Sequence, residues 1–481
     1  MKKNPVIVWL RKDLRINDNP AIMEALKANR PIIFLYIHTD TEELPWKMGA
    51  ASNWWLHHSL KSLNKDLSVF GQQLIIRRGV AEQEILSLIK EISADTVYWN
   101  RRYEPQVIKR DADIKNTLKA KGIEVKSFNS ALLFEPWQVQ TAAKTPYKVY
   151  TPFWNACNKL QLEYEESVIK LSKAEFAVNT LSIEDLNLLP KIGWDAQFYD
   201  NWQPGEEGAL KALNAFTKEN VFSYQENRNL PAQKLTSRLS PHFAFGEISL
   251  LKVWKTLEKV AVDAQTAEQE KSLETYKKEI VWREFAYHLL YHFPETDLSP
   301  LRKEYENFPW EKNSPLLKKW QQGITGYPIV DAGMRELWKT GWMHNRVRMI
   351  VASFLVKDLL IPWQDGARWF WDTLVDADLA SNSLGWQWTS GCGADAAPYF
   401  RIFNPISQGE KFDPEGEYVK RWCPELRALP LKFIHQPWSA SLEVLKAAGV
   451  IIGENYPERI VDHAYARGRA MEAWSRIKTS R

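Results

Sequence analysis

The residues Val6-Ile7-Val8-Trp9-Leu10-Arg11-Lys12-Asp13-Leu14-Arg15 decide the fold class of the first part of the chain. The apolar run Val6–Leu10 has the length and the β-branched composition of a strand buried on both faces. In dinucleotide-binding α/β proteins a glycine-rich G-x-G-x-x-G turn follows such a strand. Here the largely charged segment Arg11–Arg15 follows it. We therefore expect an α/β fold with no dinucleotide in that position.

Four further apolar runs repeat this pattern within the first 130 residues. They alternate with segments of helical periodicity, and this alternation predicts a parallel, doubly wound sheet with right-handed crossovers. The α/β N-terminal domain is expected over residues 1–130. The predicted strands are Val6–Leu10, Pro31–His38, Leu74–Arg78, Thr96–Asn100 and Glu124–Phe128. The predicted helices are Pro20–Ala28, Asn53–Val69, Ala81–Ile92 and Gln106–Lys121.

The pattern changes after residue 130 and again near residue 200. Prolines interrupt residues 131–200, which predicts an interdomain connector. Residues 201–481 carry amphipathic stretches and few alternating runs, so we expect an all-α C-terminal domain. Its clearest predicted helices are Leu273–Phe293, Tyr327–Thr340, Met343–Leu360 and Ala367–Leu374.

The composition is that of a globular protein with a large core. Of the 481 residues 45% are hydrophobic and 25% charged, which excludes disordered and collagen-like chains. No stretch reaches the roughly 18 apolar residues of a membrane helix, and the first apolar run is too short for a signal peptide. The cysteines Cys157, Cys392 and Cys423 lie far apart. We expect a cytoplasmic protein with reduced thiols and no bound metal.

Tryptophan is the unusual feature of the composition. The chain contains 23 tryptophans, and aromatic residues make up 12% of it. Tryptophan fills cores, but it also stacks on planar rings and can carry an electron hole. The net charge of +4 permits a polyanionic partner without requiring one.

Four motifs in the helical half each allow a functional and a structural interpretation. Residues Lys234–Pro241 combine hydroxyls with an arginine, which fits an anion site or an ordinary helix cap. Glu279 and Arg283 have the spacing of an exposed helical ion pair. The aspartates of Asp376–Asn382 fit metal or ribose binding or a capped loop. Gly341–Met349 is the third motif along the chain, and the fourth continues from Asp376–Asn382 to Gly385–Trp388.

Taken together, these segments resemble the photolyase/cryptochrome family, and most closely its bacterial cyclobutane pyrimidine dimer photolyases. The likeness extends over essentially the whole chain in the same order. It implies an N-terminal antenna domain, an all-α FAD-binding domain and a light-driven electron transfer that splits pyrimidine dimers in UV-damaged DNA. The segments that carry it are Ile7–Arg15, Thr236–Ser240, Trp282–Glu284, Trp342–Arg348, Asp376–Asn382 and Asp395–Pro405.

The resemblance also implies which residues hold FAD. Thr236–Ser240 would bind the diphosphate, and Arg348 would pair with Asp376 near the isoalloxazine ring. Asn382 matches the position that faces flavin N5, where plant cryptochromes tend to carry Asp and animal ones Cys, so Asn favours a repair enzyme. The expected FAD-binding residues are Tyr224, Thr236, Ser237, Arg238, Leu239, Ser240, Trp342, Asn345, Arg348, Asp376, Ala377, Asp378 and Asn382.

Two sets of tryptophans match functional positions of the family. Trp386, Trp363 and Trp310 match its electron-transfer chain from flavin to surface, and with Glu279 and Asn382 they are the expected catalytic residues. Trp282 and Trp388 match the clamp around a flipped dimer, a lesion that costs less to extrude than a normal base pair. The expected DNA and dimer contacts are Arg228, Glu279, Trp282, Asn345, Arg346, Met349, Trp388, Arg401, Gln408 and Lys411.

Sequence features argue against several related proteins and against one unrelated class. Asn345 rather than a second histidine follows His344, which argues against (6-4) photolyases, and Trp388 argues against the single-strand-preferring DASH type. A light sensor without repair would usually carry a C-terminal tail, whereas this chain ends in the predicted helix Ala464–Lys478. A flavin-containing DNA-binding protein without photochemistry would not need the tryptophan chain.

The resemblance leaves the antenna chromophore open. Methenyltetrahydrofolate is favoured, and a deazaflavin or another flavin is the alternative. The segments Trp9–Arg15 and Asn100–Glu104 match the region that lines the antenna site in relatives. Glu104 and the pair Trp54-Trp55 could hold a pterin, but core packing explains the pair equally well. We expect a monomer without an obligate protein partner and without a membrane.

Overall fold

The computed structural model describes residues 4–479, apart from 165–168, 170, 172, 174, 175 and 177. The first part is a five-stranded sheet in the order β3-β2-β1-β4-β5, and every neighbouring pair is parallel. The strands are β1 Val6–Leu10, β2 Ile32–His38, β3 Leu74–Arg78, β4 Thr96–Asn100 and β5 Glu124–Phe128. The predicted doubly wound α/β fold is confirmed.

The helices follow the sheet and fill the second half of the chain. Four lie between the strands, which buries both faces of the sheet and explains its continuous apolar runs. The helices are α1 Pro20–Lys27, α2 Ala50–Ser68, α3 Ala81–Ile92, α4 Pro105–Ala120, α5 Tyr150–Cys157, α6 Phe198–Asn201, α7 Glu206–Glu219, α8 Tyr224–Asn227, α9 Ser240–Ala244, α10 Leu250–Val260, α11 Ala267–His292, α12 Ser314–Gln321, α13 Pro328–Thr340, α14 Asn345–Ser353, α15 Trp363–Thr373, α16 Leu379–Ser390, α17 Pro405–Phe412, α18 Glu417–Trp422, α19 Leu442–Ala447 and α20 His463–Thr479.

The predicted helix Met343–Leu360 differs from the observed one at both ends. Helix α14 begins at Asn345 because the His344 side chain accepts the N–H of Arg346 at 3.2 Å, which satisfies a free helix-terminal donor. The α-helix then passes into a π-helical turn, Phe354–Asp358, which is buried throughout. Such turns widen a helix locally and occur often near functional sites.

Buried hydrogen bonds connect the sheet domain to the helical half. The indole N–H of Trp55 in α2 donates to Glu247 at 3.0 Å, and that of Trp46 donates to Asp297 at 3.0 Å. The buried guanidinium of Arg15 donates to the carbonyl of Gly246 at 2.8 Å. These contacts hold the carboxyl edge of the sheet against the helical half. The domain boundaries at residues 130 and 200 stay predictions.

Two further observations concern membrane spans and the cysteines. Over the described ranges no helix is long and apolar enough to cross a membrane. Cys157, Cys392 and Cys423 are free and buried, and burial raises the pKa of the Cys392 thiol. A thiol that stays protonated is a poor nucleophile and metal ligand.

Candidate functional site

The segment Thr236–Ser240 lies against an aromatic wall. Arg238 has a left-handed backbone with φ of 53°, and its guanidinium lies 4.2 Å from the ring centre of Trp202 and 4.5 Å from that of Trp342. Trp342 in turn donates to the Ser240 hydroxyl at 3.4 Å, and Leu239 is fully buried. Burial lowers the pKa of Arg238. Cation–π contacts therefore fix this arginine at the site.

Arg348 and Asp376 are in contact, as the resemblance implies. The guanidinium of Arg348 donates to Asp376 Oδ2 at 2.8 Å and to the carbonyl of Met343 at 2.7 Å. Asp376 Oδ1 is buried and has no hydrogen-bond partner within the described part of the chain. An acceptor buried in this way costs about 1–3 kcal/mol, and a ligand that donates a hydrogen bond would remove that cost. FAD fits this open acceptor, because its flavin ring carries an imide N–H.

Asp378 has a different role from Asp376, although only Ala377, which is buried, separates them. Its Oδ1 accepts the N–H of Ser381 at 2.8 Å and so caps α16, while Tyr287 donates its hydroxyl to Oδ2. Burial and the Asp378 charge raise the pKa of Tyr287. Of the two interpretations of this motif, the capped loop describes Asp378. Among the residues described, no three His, Cys, Asp or Glu side chains gather as metal ligands would.

Helix α16 leaves one strip of its surface uncovered. Ser381 and Gly385 are exposed, Asn382 and Trp388 are partly exposed, and their spacing of three to four residues places them on one side of the helix. A Cβ added at Gly385 would meet no atom within 4 Å. The Asn382 amide donates to the carbonyl of Ala367 at 3.0 Å, which fixes its orientation. A flat ring can lie against such a strip.

Glu279 pairs across the structure and not within its helix. Its carboxylate lies 2.5 Å from the guanidinium of Arg228, which follows α8 and lies 5.7 Å from the ring centre of Tyr224. Arg283 instead donates to the carbonyl of Ala131 at 2.8 Å. The expected helical pair of Glu279 with Arg283 is therefore wrong, because a long-range partner is available to each side chain.

Trp282 packs against Tyr150, a residue that was not predicted from the sequence. The ring of Tyr150 lies 4.6 Å from that of Trp282, edge to face, and its hydroxyl donates to the carbonyl of Lys278 at 2.6 Å. The Tyr150 N–H donates to the exposed Asp395 at 3.2 Å. Tyr150 begins α5 in the predicted connector, 132 positions before Trp282 in the chain, so no local pattern could have identified it.

The three tryptophans of the expected electron-transfer chain differ in exposure. Trp386 and Trp363 are buried, with exposed fractions of 2% and 1%, and Trp310 is partly exposed. Helices α15 and α16 pack together at Gly366, where an added Cβ would lie 2.1 Å from the Trp386 indole. Trp310 lies 4.3 Å from the ring centre of Phe308. The Trp386 N–H is buried and has no partner in the described residues.

The remaining expected DNA contacts lie on helices α14 and α17 and in the loop that precedes α17. Asn345 is exposed and Met349 partly exposed, one turn apart on α14, and Gln408 is partly exposed on α17. Arg346 donates to the Asn229 side chain at 2.8 Å and lies over the ring of Phe412 at 4.4 Å. Arg401 and Lys411 are exposed. These positions would suit contacts with a polyanion.

A separate cleft opens at the carboxyl ends of β1 and β2. Its lining includes Trp9, Arg11, Lys12, His38 and Arg102. The guanidinium of Arg11 lies 4.4 Å from the ring centre of Trp9. The cleft therefore includes part of both segments that were expected to line the antenna site.

Charges in this cleft are paired with one another. Arg102 makes bidentate contacts with Glu43 at 2.5 and 2.9 Å and a further contact with Glu104 at 2.7 Å. Burial disfavours ionisation of Glu104, but Arg102 and Lys12 outweigh it and hold the pKa of Glu104 well below its ordinary value. Trp54 and Trp55 are fully buried against Phe198 and Trp202. Core packing therefore accounts for the Trp54-Trp55 pair.

Comparison with known proteins agrees with this geometry. The family model "DNA photolyase" matches residues 6–170, and "FAD binding domain of DNA photolyase" matches residues 276–476. The chain is 47% identical to a deoxyribodipyrimidine photo-lyase of Agrobacterium fabrum, over 99% of both chains.

The chain belongs to the DNA photolyase family. The expected family, its photo-lyase enzyme class and an FAD-binding helical domain are thereby confirmed. A class III photolyase structure from Agrobacterium tumefaciens superposes with a TM-score of 0.95 at 47% identity, covering 100% of this chain and 98% of that one. Cryptochrome-1 of Arabidopsis thaliana is 40% identical over 98% of this chain and 70% of its own length. The family thus includes both repair enzymes and proteins named as cryptochromes.

Proposed function

We propose that this photolyase splits cyclobutane pyrimidine dimers in DNA with light as the energy source. The observation that carries the proposal is the pair of partly exposed indoles, Trp282 and Trp388. They lie on the two helices, α11 and α16, that also carry Glu279 and Asn382. Aromatic faces beside hydrogen-bonding groups suit a flipped pyrimidine lesion, since the faces stack and the polar groups bind its edges.

FAD would lie along the uncovered strip of α16. Asn382 would face the flavin, Asp376 would accept its imide N–H, and Arg348 would hold Asp376 in place. The other expected FAD-binding residues would complete the site, with Thr236–Ser240 at the diphosphate. Bound FAD supplies light absorption and the transferred electron. Trp386, Trp363 and Trp310 would connect that electron donor to the surface.

The dimer would lie between Trp282 and Trp388, with Glu279 and Asn345 hydrogen-bonded to its imide and carbonyl groups and Met349 beside it. Arg228, Arg346, Arg401 and Lys411 would bind phosphates, and Gln408 would contact the strand beside the lesion. Phosphate contacts give affinity and salt dependence without sequence preference. The protein would act as a cytoplasmic monomer, with an elution volume in gel filtration that matches one chain.

The cleft at the sheet edge would hold the antenna chromophore. Its cationic side chains suit the glutamate carboxylates of methenyltetrahydrofolate, which we favour, and equally the phosphate of a deazaflavin or a second flavin. Mass spectrometry of the chromophore released by denaturation distinguishes the three.

Repair in the light tests the function directly. Purified protein with reduced FAD is mixed with thymine-dimer DNA, and dimers are counted after blue light and after darkness. Light-dependent loss of dimers is expected, and the absence of any loss with intact FAD would refute dimer repair.

A light-sensing role is the second candidate, and the 40% identity to Cryptochrome-1 favours it. This role predicts FAD photochemistry without dimer binding. Equal affinity for damaged and undamaged DNA, together with no repair, would select it.

A further inference from the structure

Arg228 and Glu279 form an ion pair. Arg228 is also an expected contact of a DNA phosphate, and Glu279 is an expected contact of the dimer. Their side chains are in contact at 2.5 Å and retain exposed fractions of 24% and 34%. Each is therefore accessible to a ligand. A guanidinium binds phosphate and carboxylate with the same fork of N–H donors, so a DNA phosphate competes with Glu279 for Arg228.

The carboxylate of Glu279 interacts electrostatically with two arginines, Arg228 and Arg346. Arg346 is held by neutral groups, the Asn229 amide oxygen and the ring of Phe412. Burial and Arg228 lower the pKa of Arg346, and Glu279 acts against them. A phosphate would therefore be attracted by two guanidiniums, of which one is engaged by Glu279.

Undamaged DNA and DNA with a flipped dimer differ in the hydrogen-bond donors that they offer Glu279. An undamaged strand that takes Arg228 leaves a partly buried carboxylate without its partner, which is unfavourable. A flipped dimer brings imide N–H groups, which can donate to that carboxylate. Loss of the ion pair is thus compensated only when a lesion is present.

We propose that Glu279 withholds Arg228 from the DNA backbone until a flipped dimer offers Glu279 another partner. The pair thereby determines specificity: it lowers affinity for undamaged DNA and leaves affinity for the lesion high. The inference rests on the proposed dimer site at these residues and deepens it.

The test uses undamaged single-stranded oligonucleotide and the FAD-loaded protein in the dark, with binding measured by fluorescence anisotropy over a range of salt concentrations. Glu279→Ala frees Arg228 for one more phosphate. Affinity for undamaged DNA should rise about threefold, as expected for an exposed ion pair. The slope of log affinity against log salt should steepen by about 0.7, the value for one phosphate contact on a single strand.

Two variants separate release of Arg228 from a general charge effect. Glu226→Ala removes the same charge from an exposed position two residues before Arg228, and should not steepen the slope. In an Arg228→Gln background, Glu279→Ala should not steepen it either. A steepening of equal size in either control, or none in the Glu279→Ala protein, would overturn the proposal. FAD content and circular dichroism verify folding, and the outcome does not depend on whether the protein repairs dimers.

Discussion

The cleft at the sheet edge and the site in the helical half compensate their charges differently. In the cleft, Arg102 contacts two carboxylates within the protein, and the charged groups are already paired. In the helical site, Asp376 keeps one buried oxygen without a partner in the described residues, and Arg238 lies between indoles. Arg102 is thus held in place by carboxylates of the protein itself, whereas the helical site leaves polar atoms and ring faces for a ligand.

Replacing Trp386 by Phe should have the largest effect and tests the function of the helical site. Phenylalanine fills most of the buried space but is far harder to oxidise than an indole. We expect photoreduction of FAD to be lost, while protein reduced chemically beforehand repairs dimers nearly normally. Absorption changes under blue light with an external reductant measure the loss. Trp254→Phe, which removes a buried indole on α10, should photoreduce normally; unchanged photoreduction in Trp386→Phe would remove Trp386 from the chain.

Arg102→Gln tests whether the ion pairs of Arg102 hold the cleft in shape. The change leaves Glu43 and Glu104 close together without their shared cation, and breaking such a buried pair costs about 3–5 kcal/mol. We expect a lower thermal midpoint and loss of the antenna band, with FAD and light-saturated repair retained. Absorption spectra and thermal unfolding measure both. Arg77→Gln, at an ion pair with Glu91 outside the cleft lining, is the control and should keep the antenna band. Loss of FAD in Arg102→Gln would contradict the independence of the two regions.

Substitutions at Tyr150 test whether this residue holds the ring of Trp282 in position. Tyr150→Ala removes the edge-to-face contact with Trp282, and aromatic pairs contribute about 0.5–1.5 kcal/mol beyond burial. Affinity for dimer-containing DNA should fall about fivefold, and photoreduction should be unchanged. Tyr150→Phe keeps the ring and should lose less. Equal losses in the two variants would show that the hydroxyl and not the ring matters.

The sequence predicted what is local or periodic. All five strands were expected within one residue of their observed ends, because buried strands of a parallel sheet are continuous apolar runs. The observed pairing of Arg348 with Asp376 was expected from the resemblance, not from spacing. The contacts of Tyr150 with Trp282 and of Arg228 with Glu279 were missed, since they join distant segments and leave no periodic signal. The same reason explains the wrong pairing of Glu279 with Arg283.

Glu284, which links the connector to α11, should show the smallest effect. Its Oε2 accepts the N–H groups of Leu133 and Phe134 at 2.9 and 3.2 Å, which fixes the start of the connector to α11. Burial raises the pKa of Glu284 to about 8 against the opposing charge of Arg283. Between the ordinary pKa of 4.5 and this value, the folded protein keeps a proton that the unfolded chain has released. Stability from this group is therefore complete below pH 4.5 and decreases as the pH rises towards 8.

Glu284→Gln should remove that pH dependence, because an amide oxygen can accept the same two N–H groups without ionising. The difference in thermal midpoint, variant minus wild type, should increase by about 2 °C between pH 5 and pH 8.5. Glu207→Gln, at an exposed pair with Lys211, should give the same difference at both pH values, since Lys211 lowers the pKa of Glu207 and keeps it ionised throughout. A pH-independent difference for Glu284→Gln would mean that Glu284 is ionised in the folded protein. A buried carboxylate would then lie beside the guanidinium of Arg283, as Glu43 and Glu104 lie beside Arg102 in the cleft.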